Sequence, residues 1–147
     1  MKYLKEDLRY GFNKYCYFNF IDKSDGDLRI KFNPFLQDAI FAILENGVIH
    51  NTAKNLGIKK INLLLKTMDR RRNQAIISII DNGNGISNEL KKILHDPLKN
   101  ISIRTGLGFV TLKIATDFSN GRYTIQDFSI DSEKGTKIDI KIPILKQ

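Results

Sequence analysis

Asp81-Asn82-Gly83-Asn84-Gly85-Ile86 is the most informative stretch of the sequence, because it directly follows the apolar run Ala75 to Ile80. Such a run is typical of a buried strand. Alternate glycines after the carboxylate let the backbone approach a flat ligand closely. Asp81 is then placed to accept a hydrogen bond from an exocyclic amine such as adenine N6. A simple hairpin turn is the alternative, since Asn-Gly dipeptides are common turn formers.

A second glycine-rich stretch, Arg104-Thr105-Gly106-Leu107-Gly108-Phe109, opens a segment of helical spacing that runs from Leu107 to Phe118. Glycines at a helix start leave free backbone N–H groups, where the helix dipole adds positive potential. Phosphate oxygens are the natural occupant of such a position. The alternative is a flexible loop followed by a helix cap.

The predicted helix Phe35 to Asn51 carries a polar pair; Asn33 is expected to cap this helix and Pro34 to begin it. At 100° per residue, Asn46 and His50 lie on the same side, at the rim of the apolar stripe. A magnesium-bound phosphate in a cleft would supply partners for this pair, since an amide oxygen can complete a magnesium shell. The alternative is a buried Asn and His that are satisfied by backbone carbonyls.

Patterns elsewhere in the chain predict an α+β fold, with helices on one face of a mixed, mostly antiparallel sheet. Strands are expected where β-forming residues run or alternate, and a short amphipathic helix and a loop lie between them. The predicted strands are Tyr15 to Ile21, Ile58 to Lys66, Ala75 to Ile80, Arg122 to Ile130 and Thr136 to Ile144; the helix is Asn88 to Leu94, the loop is Pro97 to Thr105, and Gly135 lies in the turn between the last two strands.

Composition limits the class of protein. The 147 residues, 41% of them hydrophobic, suffice for one domain with a core. Lys and Arg number 24 against 16 Asp and Glu, and the net charge of +8 indicates either an anionic partner or a solvated basic face. A single cysteine, Cys16, excludes an internal disulfide. The charged N-terminus is unlike a signal peptide, and no apolar run approaches ~20 residues, so a cytoplasmic domain without membrane contact is expected.

Taken in order, these segments resemble the ATP-binding domain of the GHKL superfamily, which includes gyrase, histidine kinases and MutL. Glu45 to Asn51 resembles the N box of that family, Asp81 to Gly85 its G1 box, and Thr105 to Gly108 its G2 box. Gly135-Thr136 resembles the final Gly-Thr element. The resemblance extends over residues 15 to 144 and implies a two-layer α/β sandwich, the Bergerat fold, with ATP held between the helices and a mobile lid.

The resemblance also implies roles for individual residues. Asn46 would coordinate Mg²⁺ on the ATP phosphates and, with His50, would belong to the catalytic residues. Asp81 would bind the adenine amine, with Thr136 supporting it through water. The expected nucleotide-binding residues are Asn46, His50, Asp81, Gly83, Gly85, Ile86, Arg104, Thr105, Gly106, Leu107, Gly108 and Thr136, and the lid would be Asn88 to Arg104, with Lys91, Lys92, Lys99 and Arg104 as candidate phosphate contacts.

Three positions depart from the family pattern. Ile49 stands where histidine kinases commonly carry a phosphate-contacting Lys, and Gly47 where Ala is usual. Ala42 stands where hydrolysing members carry a Glu base, and Glu45 lies about 100° round the helix from Asn46. Vigorous ATP hydrolysis through a water-activating carboxylate is therefore not expected.

The sequence favours the ATP–Mg-binding catalytic domain of a sensor histidine kinase, which transfers phosphate to a histidine on a separate or removed domain. Residues 15 to 147 would form this domain, and Met1 to Lys14 the end of a dimerisation helix or a linker. Expected partners are a phosphoacceptor domain, a response regulator or a sigma-antagonist-type protein, rather than nucleic acid. One alternative is a stand-alone anti-sigma-type protein, and another is a nucleotide-gated binding module that uses the basic turn Arg70 to Arg72.

Overall fold

The computed structural model describes residues 16–23, 30, 33–50, 59–68, 73–99, 106–130 and 133–145. These residues form five strands and three helices. The elements are β1 (Cys16–Lys23), α1 (Pro34–His50), β2 (Lys59–Met68), β3 (Gln74–Asp81), α2 (Asn88–His95), α3 (Gly106–Phe118), β4 (Arg122–Ile130) and β5 (Glu133–Pro143).

The strands form one sheet in the order β1-β2-β3-β5-β4. β1 pairs with β2 in parallel, and the other neighbours are antiparallel. The predicted α+β class, with a mixed and mostly antiparallel sheet, is thus confirmed. β3 is the central strand, and its last residue, Asp81, is paired with Thr136 of β5. Asp81, the carboxylate singled out in the sequence, therefore lies at the end of the central strand.

A single core lies between the helices and one face of the sheet. Alternate residues of β3 and β5 point into it, as the period of a strand requires. The helices contribute the apolar stripes that their 3.6-residue periodicity predicts. The members are Leu36, Ala39, Ile40, Ile43 and Leu44 of α1, Leu94 of α2, Phe109, Leu112 and Ala115 of α3, and Ile77, Ile79, Tyr123, Ile138, Ile140 and Ile142 of the sheet.

Helices α1 and α3 pack side by side in opposite directions. Asn33 caps α1 as predicted, because its Oδ1 accepts a hydrogen bond from the N–H of Phe35 at 3.0 Å. The Nδ2 of Asn33 donates to the carbonyl of Ala115 at 2.6 Å and to Ser119 Oγ at 2.7 Å. One buried side chain thus both starts α1 and ties it to the end of α3.

Several boundaries differ from the sequence prediction by one to three residues, and the differences at the end of β1 and the start of β5 follow from strand pairing. β1 extends two residues beyond Ile21, because Asp22 and Lys23 continue the pairing with β2. β5 begins at Glu133, so Gly135 lies inside a strand, opposite Phe128, and not in a turn. The prediction of a turn at Gly135 was wrong because strand pairing between β4 and β5 continues past the glycine.

None of the helices in the described ranges is both long enough and apolar enough to cross a membrane. The predictions for Met1 to Lys14 and for the turn Arg70 to Arg72 concern residues outside the described ranges.

Candidate functional site

The Asp81 carboxylate is held in one orientation by backbone donors from two elements. Its Oδ1 accepts a hydrogen bond from the N–H of Gly83 at 2.8 Å and another from the N–H of Thr136 at 3.3 Å. The first bond shapes the glycine loop as an Asx-type turn, and the second links that loop to β5. Both described backbone bonds use Oδ1.

Burial and hydrogen bonding act on this carboxyl in opposite directions. Burial, the largest influence, raises the pKa of Asp81 above its ordinary value. The hydrogen bonds from Gly83 and from the backbone and side chain of Thr136 lower it. Asp81 is therefore a partly desolvated acceptor whose charge is stabilised by fixed donors, and such an acceptor binds a donor from a ligand more strongly than a solvated carboxylate does.

Thr136 lies directly beside Asp81. The residue is only 3% exposed, and its backbone N–H donates to Asp81 Oδ1. The support through water that the resemblance implies stays a prediction. The direct contact follows from the strand pairing of the two residues across β3 and β5.

The glycines of the loop and of β5 allow backbone segments to approach closely. Gly85 has a φ of +80°, which strongly favours glycine. A Cβ on Gly85 would lie 3.5 Å from Asp127 Oδ1, so the loop rests against β4. A Cβ on Gly135 would collide with the carbonyl oxygen of Asp81. The Gly-Thr element therefore supplies space at Gly135 and a hydrogen-bond donor at Thr136.

Ile86 ends the loop, and its contact with the base stays a prediction. It is half-buried and packs against the core cluster. Ser87 follows and caps α2, since its Oγ accepts a hydrogen bond from the N–H of Leu90 at 3.2 Å. The glycine loop is thus anchored by a strand at one end and by a packed, capped helix at the other.

Asn46 lies where α1 meets the start of α3. A Cβ on Gly108 would lie 3.3 Å from Asn46 Nδ2 and 3.0 Å from the Cβ of Ala42. The N-box asparagine and a G2-box glycine are thus brought into contact, which only the packing of the two helices could produce. His50, one turn further along α1, is exposed, so the alternative of a buried Asn-His pair is wrong for the histidine.

A methyl group occupies the position at which hydrolysing relatives carry a base. Ala42 packs against Gly108, while Glu45 and Asp38 are exposed on other sides of α1. The described residues hold no cluster of three or more His, Cys, Asp or Glu that would bind a metal ion by itself. The amide of Asn46 fits a site in which phosphate oxygens and water complete the magnesium shell.

The start of α3 has the features of an anion-binding helix terminus. Gly106 has a φ of +62°, and the first turn contains no acidic residue. Leu107, the second residue of the helix, is 84% exposed. Arg104 and Thr105, also predicted to bind phosphate, lie outside the described residues.

The predicted lid begins with a helix that is docked on the sheet. The hydroxyl of Tyr123 in β4 donates to the carbonyl of Leu94 at 2.5 Å, and its ring stacks on His95 with a centroid distance of 6.4 Å. Lys91 forms an ion pair with Asp127 of β4 at 2.6 Å, and Lys99 forms one with Asp96 at 2.8 Å. Two predicted phosphate contacts thus have carboxylate partners within the chain.

Tyr123 and Asp127 were missed at the level of sequence. Each belongs to a strand that was predicted correctly, but no local pattern shows that β4 lies beside α2 and the glycine loop. The alternation along β4 identifies only which residues share a face.

A comparison with protein families matches residues 33–146 to the family described as histidine kinase-, DNA gyrase B- and HSP90-like ATPases. The chain belongs to this family. The match contains all four glycine and asparagine motifs of the site, and it agrees with the resemblance read from the sequence. No curated relative matches at a significant level.

Solved structures similar to this ATPase-family domain include histidine kinases. A mycobacterial sensor histidine kinase, MprB, has a TM-score of 0.74 at 18% identity, over 99% of this chain and 93% of that one. The catalytic domain of histidine kinase ThkA has a TM-score of 0.73 at 18% identity, over 97% and 92%. Acinetobacter baumannii AdeS has a TM-score of 0.64 at 19% identity, over 99% and 65%. At these identities the likeness shows a common fold.

Proposed function

We propose that this domain binds ATP with Mg²⁺ and positions the γ-phosphate for transfer to a histidine on a separate or removed domain, as the catalytic part of a sensor histidine kinase. The observation that carries the proposal is Asp81, a partly desolvated carboxylate oriented by the N–H groups of Gly83 and Thr136. Its position at the end of β3, between alternate glycines and the Gly-Thr strand, suits the amine and the flat ring of adenine.

At the phosphate end, Asn46 would hold Mg²⁺ through its amide oxygen, and His50 and Arg104 would contact the nucleotide. Mg²⁺ would neutralise charge on the phosphates. The N–H groups at Thr105 to Gly108 would receive phosphate oxygens at the start of α3. The contact between Asn46 and Gly108 supports this assignment, because it brings the two motifs of the phosphate end together.

A transfer reaction fits the site better than rapid hydrolysis. Ala42 supplies no group that can accept a proton, whereas a histidine acceptor is already a neutral nucleophile near neutral pH. The domain would then act by positioning the phosphate and stabilising its charge. Among the similar structures is ThkA in complex with a response regulator protein, TrrA. We infer a two-component role with a phosphoacceptor domain and a response regulator as partners.

One alternative has a specific observation in its favour. The spacing of Asn46, Ile49 and His50 fits the Asn-x-x-Ile-His pattern of anti-sigma-type proteins, which bind a partner and phosphorylate serine. Ala42 opposes serine phosphorylation, because a serine hydroxyl needs a base to remove its proton. We therefore favour transfer to histidine over this alternative.

Calorimetry with Mg-ATP on wild type and Asp81→Asn tests the core of the proposal. The asparagine keeps an oxygen for Gly83 and Thr136 but turns an N–H₂ group toward the adenine amine, so we expect affinity to fall by at least about tenfold. Asp38→Asn, the same change on the exposed side of α1, is the matched control and should leave affinity unchanged. Equal affinity in wild type and Asp81→Asn would reject the adenine assignment.

A further inference from the structure

An ion pair joins α2 to β4 directly over the glycine loop. Lys91 Nζ lies 2.6 Å from Asp127 Oδ1. The two groups differ in environment, since the side chain of Lys91 is 16% exposed and that of Asp127 is 69% exposed. The side chain of Lys91 is thus largely enclosed by protein, and its ammonium group pairs with a carboxylate that is mostly exposed.

The same Asp127 oxygen also faces the loop. A Cβ on Gly85 would lie 3.5 Å from Asp127 Oδ1 and 3.8 Å from the carbonyl oxygen of Gly135. Gly85 is therefore flanked by the two strands β4 and β5, and the oxygen at its side is the one that pairs with Lys91. Because Gly85 has a φ of +80°, the backbone here has a conformation that occurs in neither helices nor strands, so contacts with neighbouring elements must hold it in place.

Asp127 is linked to Asp81 through one residue. Across the sheet Asp127 is paired with Thr136, and Thr136 is paired with Asp81. The N–H of Thr136 donates to Asp81 Oδ1. The loop that leaves Asp81 therefore passes Asp127 at Gly85, enters α2 at the cap Ser87, and is joined back to Asp127 by Lys91 one turn into that helix.

We propose that Lys91 and Asp127 are positioning residues for the adenine end of the nucleotide site. The pair holds the loop Gly83 to Ile86 against β4, so that Asp81 and the loop backbone are already arranged when the base enters. The proposal rests on the proposed function, and it gives Lys91 a role through Gly85 in place of the phosphate contact expected from the sequence. Preorganisation of this kind raises affinity by lowering the entropy lost on binding.

The chain contains a matched control for this ion pair. Lys113 and Asp117 of α3 are also 2.6 Å apart, but they lie one turn from each other on one helix and do not close a loop. Removing either pair deletes an equivalent contact between a lysine and an aspartate. Of these two pairs, Lys91–Asp127 is the one that joins two different elements, α2 and β4, beside the glycine loop.

The test measures Mg-ATP affinity, thermal unfolding and amide hydrogen exchange of peptides covering residues 82–87 in the nucleotide-free chain. For Asp127→Asn and for Lys91→Gln we expect affinity to fall about two- to fivefold, as for loss of a partly exposed pair. Exchange should quicken in residues 82–87. Because the two residues act together, the double variant should be no weaker than either single one, and Lys91→Arg should restore both readouts.

Lys113→Gln with Asp117→Asn should change neither affinity nor exchange of the loop. Wild-type affinity and wild-type exchange in Asp127→Asn would overturn the inference while leaving the proposed function intact. A lower melting temperature with faster exchange spread over α2 and β4 would overturn it in favour of a purely structural pair. If the wild type does not bind Mg-ATP, the proposed function fails, and unchanged loop exchange in the variants would separately reject the positioning role.

Discussion

Asp81 is the residue at which stability and function oppose one another. Burial raises its pKa in the folded protein, although hydrogen bonds from Gly83 and Thr136 act against that rise. A carboxyl whose pKa is higher folded than unfolded stabilises the fold when it is protonated, and this contribution is lost as the pH rises through the folded pKa. Ionisation of Asp81 in the folded protein therefore costs stability, as expected of a carboxylate that is kept for the proposed binding of a ligand.

Replacing Asp81 with Asn should thus separate stability from binding. We expect the free energy of unfolding of Asp81→Asn, relative to wild type, to rise as the pH increases from 3.8, the ordinary pKa of an Asp side chain, through the folded pKa and then to stay level. Urea unfolding at a series of pH values measures this difference, with Asp38→Asn as the control for loss of an exposed charge. A difference that falls with rising pH would contradict the assigned direction of the pKa shift.

Gly135 makes a second prediction at the residue scale. Gly135→Ala should destabilise the protein by about 1–3 kcal/mol, because the added methyl group meets the backbone of Asp81. Gly106→Ala is an informative control, since a Cβ there has nothing within 4 Å and its effect comes only from a φ of +62°, about 1 kcal/mol. Chemical unfolding compares the two variants. Equal losses of unfolding free energy in Gly135→Ala and Gly106→Ala would contradict the predicted clash between a Cβ at Gly135 and the backbone of Asp81.

At the scale of elements, α2 is fixed to the sheet by contacts near both of its ends. Lys91 pairs with Asp127, while Tyr123 donates its hydroxyl to the carbonyl of Leu94 and stacks on His95. Burial raises the pKa of Tyr123, so its hydroxyl keeps its proton and acts as a donor at neutral pH. The helix that begins the predicted lid is therefore anchored to the sheet.

Tyr123→Phe tests this docking. The phenyl ring keeps the stacking and the contact with Phe109, but the carbonyl of Leu94 loses its side-chain donor. We expect a loss of about 1 kcal/mol in unfolding free energy and faster amide exchange at the end of α2. Mg-ATP affinity should change much less than in Asp127→Asn, since the Tyr123 bond lies beyond the glycine loop. Unchanged exchange would show that the hydroxyl does not hold α2.

At the scale of the whole molecule, the two-layer fold leaves apolar side chains of α3 on the surface. Leu107 and Ile114, seven residues apart on the same side of the helix, are both exposed. An exposed apolar stripe of this kind suits a partner helix. Part of the net charge of +8 has a proposed function, because Arg104 would contact the ATP phosphates.

Ile114→Ser should lower phosphate transfer to an acceptor domain without changing Mg-ATP affinity. We expect a loss of about fivefold or more in transfer rate if this surface contacts the acceptor. Leu145→Ser, at another exposed aliphatic residue, is the control. Labelled ATP and purified acceptor domains provide the assay, and the acid lability of the product distinguishes phosphohistidine from phosphoserine. Equal transfer by wild type and Ile114→Ser would exclude Ile114 from the contact.

The elements and motifs of this protein were determined by local sequence. The helical stripe of α1, its cap at Asn33 and the apolar run of β3 are patterns within a few residues of one another, and short-range sterics and hydrogen bonding fix their conformation. The order of the asparagine and glycine motifs likewise led to the family. Most predicted boundaries lie within two or three residues of the observed ones for the same reason.

The partners of the site residues were decided only by tertiary structure. Thr136 reaches Asp81 across 55 positions of sequence, Gly135 is a strand residue because β4 pairs with it, and Lys91 forms an ion pair with Asp127. Periodicity shows which face a residue shares but not which element covers that face. Those contacts arise when the sheet order brings β3, β5 and β4 together, and burial then shifts the pKa of Asp81 in a way that no local pattern contains.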